Sequence, residues 1–160
     1  MENRIQSQLD PLDLSILSEL QHDARIAFSR LAGKLKVSNS LVHQRVRRLR
    51  ESGILQDASF EISPESMGFE TCAYCQIMID HPRYMDSVIG ALRGIPEIVE
   101  CINIAGRYAI MVKVYAYHNR HLRDVVYEKI QPIEGVEGTN TVVSFETPFR
   151  RGLALNIDIP

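Results

Sequence analysis

Cysteine is scarce in this chain, and long apolar runs are absent. Its three cysteines cannot all pair, which argues against a disulfide framework and favours a reducing compartment. Its apolar runs, such as those at 89–92 and 109–112, fall far short of the about 20 residues that a membrane-spanning helix needs. Residues 1–8 also lack the apolar core and the cleavage site of a secretory signal. We therefore expect a cytoplasmic protein.

Two of the cysteines, Cys72 and Cys75, form a C-x-x-C pair, which in other sequences marks a redox centre or half of a zinc site. Their surroundings, T-C-A-Y-C-Q-I-M-I, are typical of a β-strand. In a strand, a separation of three places the two sulfurs on opposite faces. The pattern therefore disfavours this site, and we expect neither a metal nor a cofactor.

The formal net charge of −2 hides an uneven distribution of charge along the chain. Residues 1–55 carry nine Lys and Arg against six Asp and Glu, whereas residues 56–160 carry nine against fourteen. From Ala24 to Arg50 there are eight basic residues and no acidic one. This asymmetry favours a polyanion as the partner of the N-terminal module alone.

Three helices are predicted in the N-terminal third. The first begins at the cap Asp10 with Pro11 in its first turn, and its apolar stripe consists of Leu9, Leu12, Ile16, Leu17 and Leu20. The second has the stripe Phe28, Leu31, Ala32 and Leu35, and Ala27 stands where a capping residue is expected, so the sequence leaves its start open. The third begins with Ser38 as its cap and stops at Gly53.

The third helix, at 38–52, has two faces of different chemistry. At 100° per residue, Val42, Val46 and Leu49 share the buried side. The opposite face suits a major groove, where short polar side chains reach base edges and arginine pairs with guanine or phosphate. We therefore predict that double-stranded DNA is bound by Lys36, Ser38, Asn39, Ser40, His43, Gln44, Arg45, Arg47 and Arg48. The alternative is a solvated basic face, which three successive helices with a tight turn at 36–38 disfavour.

This region resembles the leucine-responsive and asparagine-responsive regulators, the Lrp/AsnC or feast/famine family. The resemblance is carried by Leu12-Asp13, Ile16-Leu17, Leu20-Gln21, Asp23-Ala24-Arg25-Ile26, Val37-Ser38, Arg45-Val46-Arg47-Arg48-Leu49 and Gly53-Ile54-Leu55. It implies a sequence-specific transcriptional regulator whose third helix recognises DNA and which binds as a dimer or higher assembly. Lys36 departs from the pattern, because such turns usually carry a left-handed Gly. A lysine there costs about 1 kcal/mol and adds a charge within reach of phosphate.

The remaining two thirds alternate between strand and helix patterns. The predicted order is strand 70–80, helix 84–93, strand 98–104, a hairpin at 106–107, strand 108–117, helix 120–130 and strand 139–146, which is a ferredoxin-like βαββαβ arrangement. We therefore predict an α+β protein with three parts. A winged helix-turn-helix of three helices occupies 1–55, an extended linker 56–69, and an effector-binding and oligomerisation domain 70–160.

A last alternation, Leu153, Leu155, Ile157 and Ile159, predicts a further edge strand with one apolar face. Either a partner subunit or the chain's own sheet would cover that face, and the first implies an oligomer. The family resemblance, which spans about residues 10–157, implies that these C-terminal domains pair into homodimers and that four dimers can build an octameric ring.

The hairpin aligns with the family's effector loop, which typically reads Gly-Asp-Tyr/Phe-Asp. Here it reads Gly106-Arg107-Tyr108-Ala109, so both acidic positions are gone. Thr139 and Thr141 match the family's second loop, and their hydroxyls can hydrogen-bond a carboxylate. The resemblance implies modulation by an amino acid or related small acid at the oligomer interface. Since an inward-pointing Arg107 favours an anion, we expect a more acidic effector or none, and a solvated Arg107 is the alternative.

Catalytic motifs are not visible in the sequence: it shows no nucleophile and base pair, phosphate loop or metal-ligand set, so we expect a protein that is not an enzyme. His118 and His121 share a helix face, but two histidines without a third ligand are weak evidence for a metal. Two alternatives stay open. One is a haem-modifying decarboxylase on the same two-domain fold, and the other is an assembly or sensor module without DNA binding, which the basic third helix disfavours.

Overall fold

The computed structural model describes residues 9–155, which divide into two compact units. Residues 9–60 and 150–155 form the first unit, and residues 61–149 form the second. Each unit has its own apolar cluster. The division differs from the sequence-based one at its end, because residues 150–155 group with the helices and not with the α/β domain. Within this described range, no helix has the length and apolar character to span a membrane.

The first unit contains three helices, α1 (Pro11–His22), α2 (Phe28–Leu35) and α3 (Asn39–Glu51). The predicted caps are confirmed. Asp10 accepts a hydrogen bond from the backbone N–H of Asp13, whose side chain accepts one from the Asp10 N–H, so the two form a capping box. Ser38 accepts a hydrogen bond from the Leu41 N–H at the start of α3. Ala27 makes no such bond to α2.

One apolar cluster joins the three helices and includes the predicted buried side of α3. Val42, Val46 and Leu49 are at most 2% exposed. The other buried members are Ile16, Leu17, Leu20, Ile26, Leu31 and Ala32. Since burying one such large side chain contributes about 1.5–3 kcal/mol, this cluster holds α3 against α1 and α2.

The segment after α3 is extended but forms no paired strand. Gly53 adopts a φ of 73° and ends the helix. Residues 54–62 then run without a ladder, and Phe60 lies under the Arg25 guanidinium, 4.1 Å from ring centroid to Cζ. The predicted helix-turn-helix is therefore confirmed in its three helices. A wing of paired strands is not formed by the described residues of this unit, because no neighbouring strand offers the segment backbone partners.

The second unit has the predicted βαββαβ order. Its elements are β1 (Thr71–Ile79), α4 (Met85–Arg93), β2 (Ile98–Asn103), β3 (Ile110–Ala116), α5 (Asn119–Asp124), which continues as a π-helical segment Val125–Ile130, and β4 (Val136–Ser144). Short 3₁₀ turns occur at Glu65–Met67 and Pro82–Tyr84. The strands pair antiparallel in the order β2-β3-β1-β4, with β1 central beside both β3 and β4. This is the ferredoxin-like topology, and the α+β class is confirmed.

The sheet has two chemically different faces. Burial alternates along β1, and its buried side chains pack against the helices on one face of the sheet. The cluster on this face includes Ala73, Cys75 and Ile77 of β1, Ile110, Val112 and Val114 of β3, and Val88, Leu92, Val125 and Ile130 of the helices. The opposite face carries Tyr74, Lys113 and Tyr115, and the Lys113 ammonium lies 5.7 and 5.1 Å from the two ring centroids. Cys72 and Cys75 are on different faces and unpaired with each other, as their spacing predicts.

The predicted last edge strand does not form in the part of it that the structure describes. Residues 145–155 contain no strand, and Ile157 and Ile159 lie outside the described residues. Leu155 packs against the helical cluster, and the Leu153 carbonyl accepts a hydrogen bond from Gln21 Nε2 at 3.2 Å. The expectation was wrong here because the helices, and not a sheet, take up the apolar side chain of Leu155.

Candidate nucleic-acid interface and effector loop

The N-terminal end of α3 presents short polar side chains to solvent. Ser38 Oγ lies 3.2 Å from the Leu41 nitrogen that it caps and 3.1 Å from Ser40 Oγ. Asn39 and Ser40 are exposed. Because the backbone N–H groups of a first helical turn have no intrahelical partner, this end offers a dense set of hydrogen-bonding groups to a ligand.

His43 and Gln44 continue this surface along α3, and both are exposed. The His43 ring also contacts the Phe28 ring of α2 edge to face, with centroids 4.8 Å apart. His43 therefore has one edge held by the protein while the residue remains accessible.

Arg45 and Arg48 extend from α3 toward the start of α1. The Arg45 guanidinium contacts Asp10 Oδ2 and lies 3.2 Å from Asp13 Oδ1. The Arg48 guanidinium contacts Asp13 Oδ2. The Asp13 side chain is fully buried, whereas the Arg45 and Arg48 side chains are 23% and 50% exposed. Arg45 is thus largely committed within the protein, and Arg48 keeps half of its surface outside.

These contacts alter the protonation of Asp10 and Arg45. Hydrogen bonds from the Asp13 N–H and the Arg45 guanidinium hold the pKa of Asp10 below its ordinary value. Hydrogen bonds to Asp10 and then Asp13 raise the pKa of Arg45 above its ordinary value. Both groups therefore stay charged at neutral pH, and their attraction joins α1 to α3.

Arg47 lies on the outer surface of α3, with 79% of its side chain exposed. Its Nε donates a hydrogen bond to Glu51 Oε1 at 2.7 Å, which raises the pKa of Arg47. An exposed i,i+4 ion pair contributes little to stability. A phosphate or a guanine can therefore replace Glu51 as the partner of Arg47.

Lys36 occupies the turn between α2 and α3 with φ 55° and ψ 42°. It is the one non-glycine residue with positive φ among residues 9–155, and the predicted left-handed conformation is confirmed. Its side chain is exposed, two residues before the cap of α3. The strained backbone thus places a cation beside the N-terminus of that helix.

The loop 106–109 and Thr139 lie at the same end of the second unit's sheet. The Ala109 N–H donates to the Ile77 carbonyl at 3.0 Å, while Thr139 pairs with Ile77 from the other side of β1. Two strand spacings of about 4.8 Å therefore separate them. Gly106 and Arg107 are exposed, and the Arg107 Cζ lies 6.0 Å from the Tyr108 ring centroid.

The two threonine hydroxyls already have partners inside the domain. Thr139 Oγ1 accepts a hydrogen bond from Gln131 Nε2 at 2.9 Å, and Thr141 Oγ1 donates to Cys75 Sγ at 3.4 Å. Burial raises the pKa of the Cys75 thiol, so the sulfur is a neutral, weak acceptor. Thr139 keeps its own hydroxyl proton to donate to a carboxylate ligand, whereas Thr141 would have to give up its bond to Cys75. No sequence pattern marks Gln131 as part of this group.

The two histidines that share a helix face have structural partners. His118 Nδ1 accepts the His121 N–H at 3.0 Å at the start of α5, and His121 Nε2 lies 3.2 Å from Glu97 Oε1. Across the described 9–155 range, no group of three or more His, Cys, Asp or Glu side chains is placed to hold a metal.

Sequence reasoning missed the second role of Asp13. Its place in the first turn of α1 indicates capping and a favourable position in the helix dipole. Its pairing with Arg45 and Arg48 joins residues 32 and 35 positions apart. The only signal for this contact is that Asp13 interrupts an otherwise apolar N-terminal stripe.

Both halves of the chain match known families. The model of the AsnC-type helix-turn-helix domain matches residues 9–50, and that of the Lrp/AsnC ligand binding domain matches residues 72–154. Regulatory protein AsnC of Haemophilus influenzae is 31% identical to this chain, and the matched region covers 91% of this chain and 97% of that protein. The structure of E. coli AsnC has 29% sequence identity to this chain and a TM-score of 0.85, and the match covers 91% of this chain and 97% of that one. A feast or famine regulatory protein from M. tuberculosis, complexed with L-methionine, has 29% identity and a TM-score of 0.84, with 92% and 99% covered. With both of its units matched and nearly its whole length shared with these relatives, the chain belongs to the Lrp/AsnC family of transcriptional regulators.

Proposed function

We propose that this regulator recognises a specific DNA sequence by inserting α3 into the major groove. The observation that carries the proposal is the division of α3 into two faces. Val42, Val46 and Leu49 are buried, whereas the outer face is polar and basic. A helix of these dimensions fits a major groove, where every base pair presents a distinct pattern of donors and acceptors.

The base-reading group is inferred from its place at the N-terminal end of the helix. Recognition helices contact base edges mainly through this end. Asn39, Ser40, His43 and Gln44 are exposed there and carry the donors and acceptors that base edges require. Arg47, farther along, pairs with a guanine or a phosphate once it releases Glu51.

The remaining cations and the cap have supporting roles. Lys36 and Arg48 are exposed on either side of the base-reading group, where phosphate contacts would set its register. Ser38 is committed to its cap and Arg45 to Asp10 and Asp13. We infer that these two act in DNA binding chiefly by holding α3 in place.

Selection of binding sites from a pool of randomised duplexes tests this proposal. The full-length protein is expected to enrich a defined motif. Arg47→Ala should lose roughly tenfold or more in affinity for that motif and relax one position, whereas Arg93→Ala, at the exposed end of α4, should bind as the native chain does. Enrichment of no motif would overturn the proposal.

A small acid is proposed as the effector of the second unit. The M. tuberculosis relative was solved with L-methionine, which supports an amino acid or a related metabolite. In this chain the loop 106–109 carries the exposed Arg107 and no carboxylate. A guanidinium favours a ligand with a second anionic group, such as a keto diacid or an acidic amino acid. We infer that Tyr108, Ala109, Thr139 and Thr141 complete the site.

The acting form is proposed to be a homodimer or a higher oligomer such as an octamer. β4 forms one edge of the sheet; its Val142 and Val143 are 55% and 42% exposed, and Phe145, directly after it, is 100% exposed. Exposed apolar edge strands usually require cover. A second copy would supply it, and Val142→Ser with Phe145→Ser should lower the mass measured by light scattering. An unchanged mass would contradict this interface.

We propose finally that the protein has no catalytic activity and acts in the cytoplasm. The relatives are named as regulators, which supports the first point. Co-purification of a coloured tetrapyrrole would favour the enzymatic alternative, whereas retardation of a selected duplex in a gel would favour the regulator.

A further inference from the structure

Asp13 of α1 forms ion pairs with Arg45 and Arg48 of α3, the helix that we propose to contact DNA. Its side chain is 0% exposed. Oδ1 lies 3.2 Å from an Arg45 guanidinium nitrogen, and Oδ2 contacts Arg48 and accepts the Asp10 N–H at 3.1 Å. Both carboxylate oxygens are therefore occupied by groups that fix their direction.

The apolar part of the contact between α1 and α3 does not supply this direction. Burial of Val42, Val46 and Leu49 stabilises the fold in proportion to the apolar area buried, and this free energy depends little on the orientation of α3. Charge-assisted hydrogen bonds depend on distance and angle. Arg45 and Arg48 are three residues apart on one face of α3, so bonds from both to one carboxylate restrict the rotation and the depth of the helix.

We propose that Asp13 is a positioning residue for DNA recognition, which sets the placement of α3 and orients Arg48 toward a phosphate. The inference rests on the proposed DNA-binding function and deepens it. Arg48 has five N–H donors in a planar fork, and its bond to Asp13 turns one end of that fork toward α1. Half of the Arg48 side chain is exposed, and that half is available to DNA.

Asp13 also limits binding to DNA of the wrong sequence. Together with Asp10 it balances the charges of Arg45 and Arg48. If the Asp13 charge is removed, the same surface carries one more unpaired positive charge, which attracts any phosphate backbone. Asp13 therefore raises the ratio of specific to non-specific DNA affinity, because it strengthens the specific complex and weakens the non-specific one.

The Asp13→Asn variant of the full-length chain tests the proposal, since Asn has the same shape and no charge. Affinity is measured for the duplex that the native protein selects and for a random duplex, over a range of salt concentrations. We expect the ratio of the two affinities to fall by about tenfold or more. Binding to the random duplex should be maintained or increased, and its salt dependence should become steeper by up to about 0.9 in the log–log slope.

Asp57→Asn is the matched control, because Asp57 is an exposed acid of the same unit and its loss changes the net charge equally. It should leave the ratio unchanged. A parallel weakening on both duplexes, together with a lower melting temperature, would show that Asp13 only stabilises the fold. An unchanged ratio would also overturn the proposal.

If Asp13→Asn does not fold, Arg45→Lys decides the question. That variant keeps the charge but loses the planar fork that reaches both Asp10 and Asp13. A lower affinity ratio for Arg45→Lys supports the proposal, and a native ratio overturns it. If the native chain itself selects no motif, the DNA-binding proposal falls, and this one falls with it.

Discussion

The His43 ring on α3 meets the Phe28 ring on α2 edge to face, with their centroids 4.8 Å apart. A side chain that we propose to contact DNA is thus held by the second helix of the motif. Packing and recognition at this position can be separated, because a phenyl ring reproduces the edge contact but cannot hydrogen-bond a base.

We expect His43→Phe to keep the thermal stability of the native chain and to lose preference at one position of the selected motif. His43→Ala should lose the same preference and also about 0.5–1.5 kcal/mol of the free energy of unfolding, which is typical of an aromatic pair. Melting curves and binding to single-base variants of the motif measure the two effects. Native binding by His43→Phe would mean that the residue serves packing alone.

Lys36→Gly should have opposite effects on stability and on DNA binding. The left-handed backbone at Lys36 costs about 1 kcal/mol for a residue with a Cβ, and glycine relieves part of that cost. The variant should therefore melt at a higher temperature. It should bind all duplexes more weakly. The slope of log affinity against log salt concentration should be shallower by about 0.9, because one phosphate contact is lost. Lys36→Ala, which keeps the strain, should show only the weaker binding; an unchanged slope in both would exclude Lys36 from the interface.

Stability in acid should depend on Asp10. Its pKa is lowered by the Asp13 N–H and the Arg45 guanidinium, so its contribution is fully present above the pH at which an unfolded Asp titrates, about pH 4. That contribution is lost as the pH falls through the lower value of the folded state. Asp10→Asn keeps the helix cap but not the ion pair. Its stability should fall less steeply below about pH 4. Coinciding profiles for Asp10→Asn and the native chain would contradict this role.

The C-terminal segment should contribute to the stability of the helical unit through Leu155. This side chain packs against the helical cluster, whereas the Leu153 side chain is 83% exposed. We expect Leu155→Ala to lower the free energy of unfolding by about 1 kcal/mol and Leu153→Ala to leave it nearly unchanged. Chemical denaturation followed by circular dichroism measures both variants. Equal losses in the free energy of unfolding would show that Leu155 stabilises the helical unit no more than the exposed Leu153 does.

Ligand preference should follow the charge of the effector loop. Calorimetry with a panel of amino and keto acids should show the tightest binding for ligands with two carboxylates. Arg107→Ala should weaken those ligands most, because the exposed guanidinium is the cation of that loop. Tight binding of leucine or asparagine by the native chain would contradict this expectation.

Much of the fold followed from short-range patterns. Helix caps such as Ser38 and the buried stripe of α3 depend on residues within a few positions of one another, where spacing acts directly. The βαββαβ order was predictable for the same reason, because strand and helix periods differ and each element shows its own. The left-handed turn at Lys36 was implied instead by the resemblance to the Lrp/AsnC family, whose turns usually carry a glycine there. The expected wing and the last edge strand were not formed among the described residues. An extended segment becomes a strand only if a neighbour pairs with it, and periodicity does not report neighbours.

By itself, then, the sequence determined the helix-turn-helix, the βαββαβ order of elements and the basic surface of α3, since each follows from local spacing and charge. Only the tertiary structure decided what those side chains do. It committed Arg45 to Asp10 and Asp13, left Arg47 and half of Arg48 outside, engaged Thr139 with Gln131, and packed Leu155 onto the helices. Those outcomes depend on which surfaces meet across intervals from 8 to more than 130 residues, where burial and the pairing of charges decide between partners that are equally available in the unfolded chain.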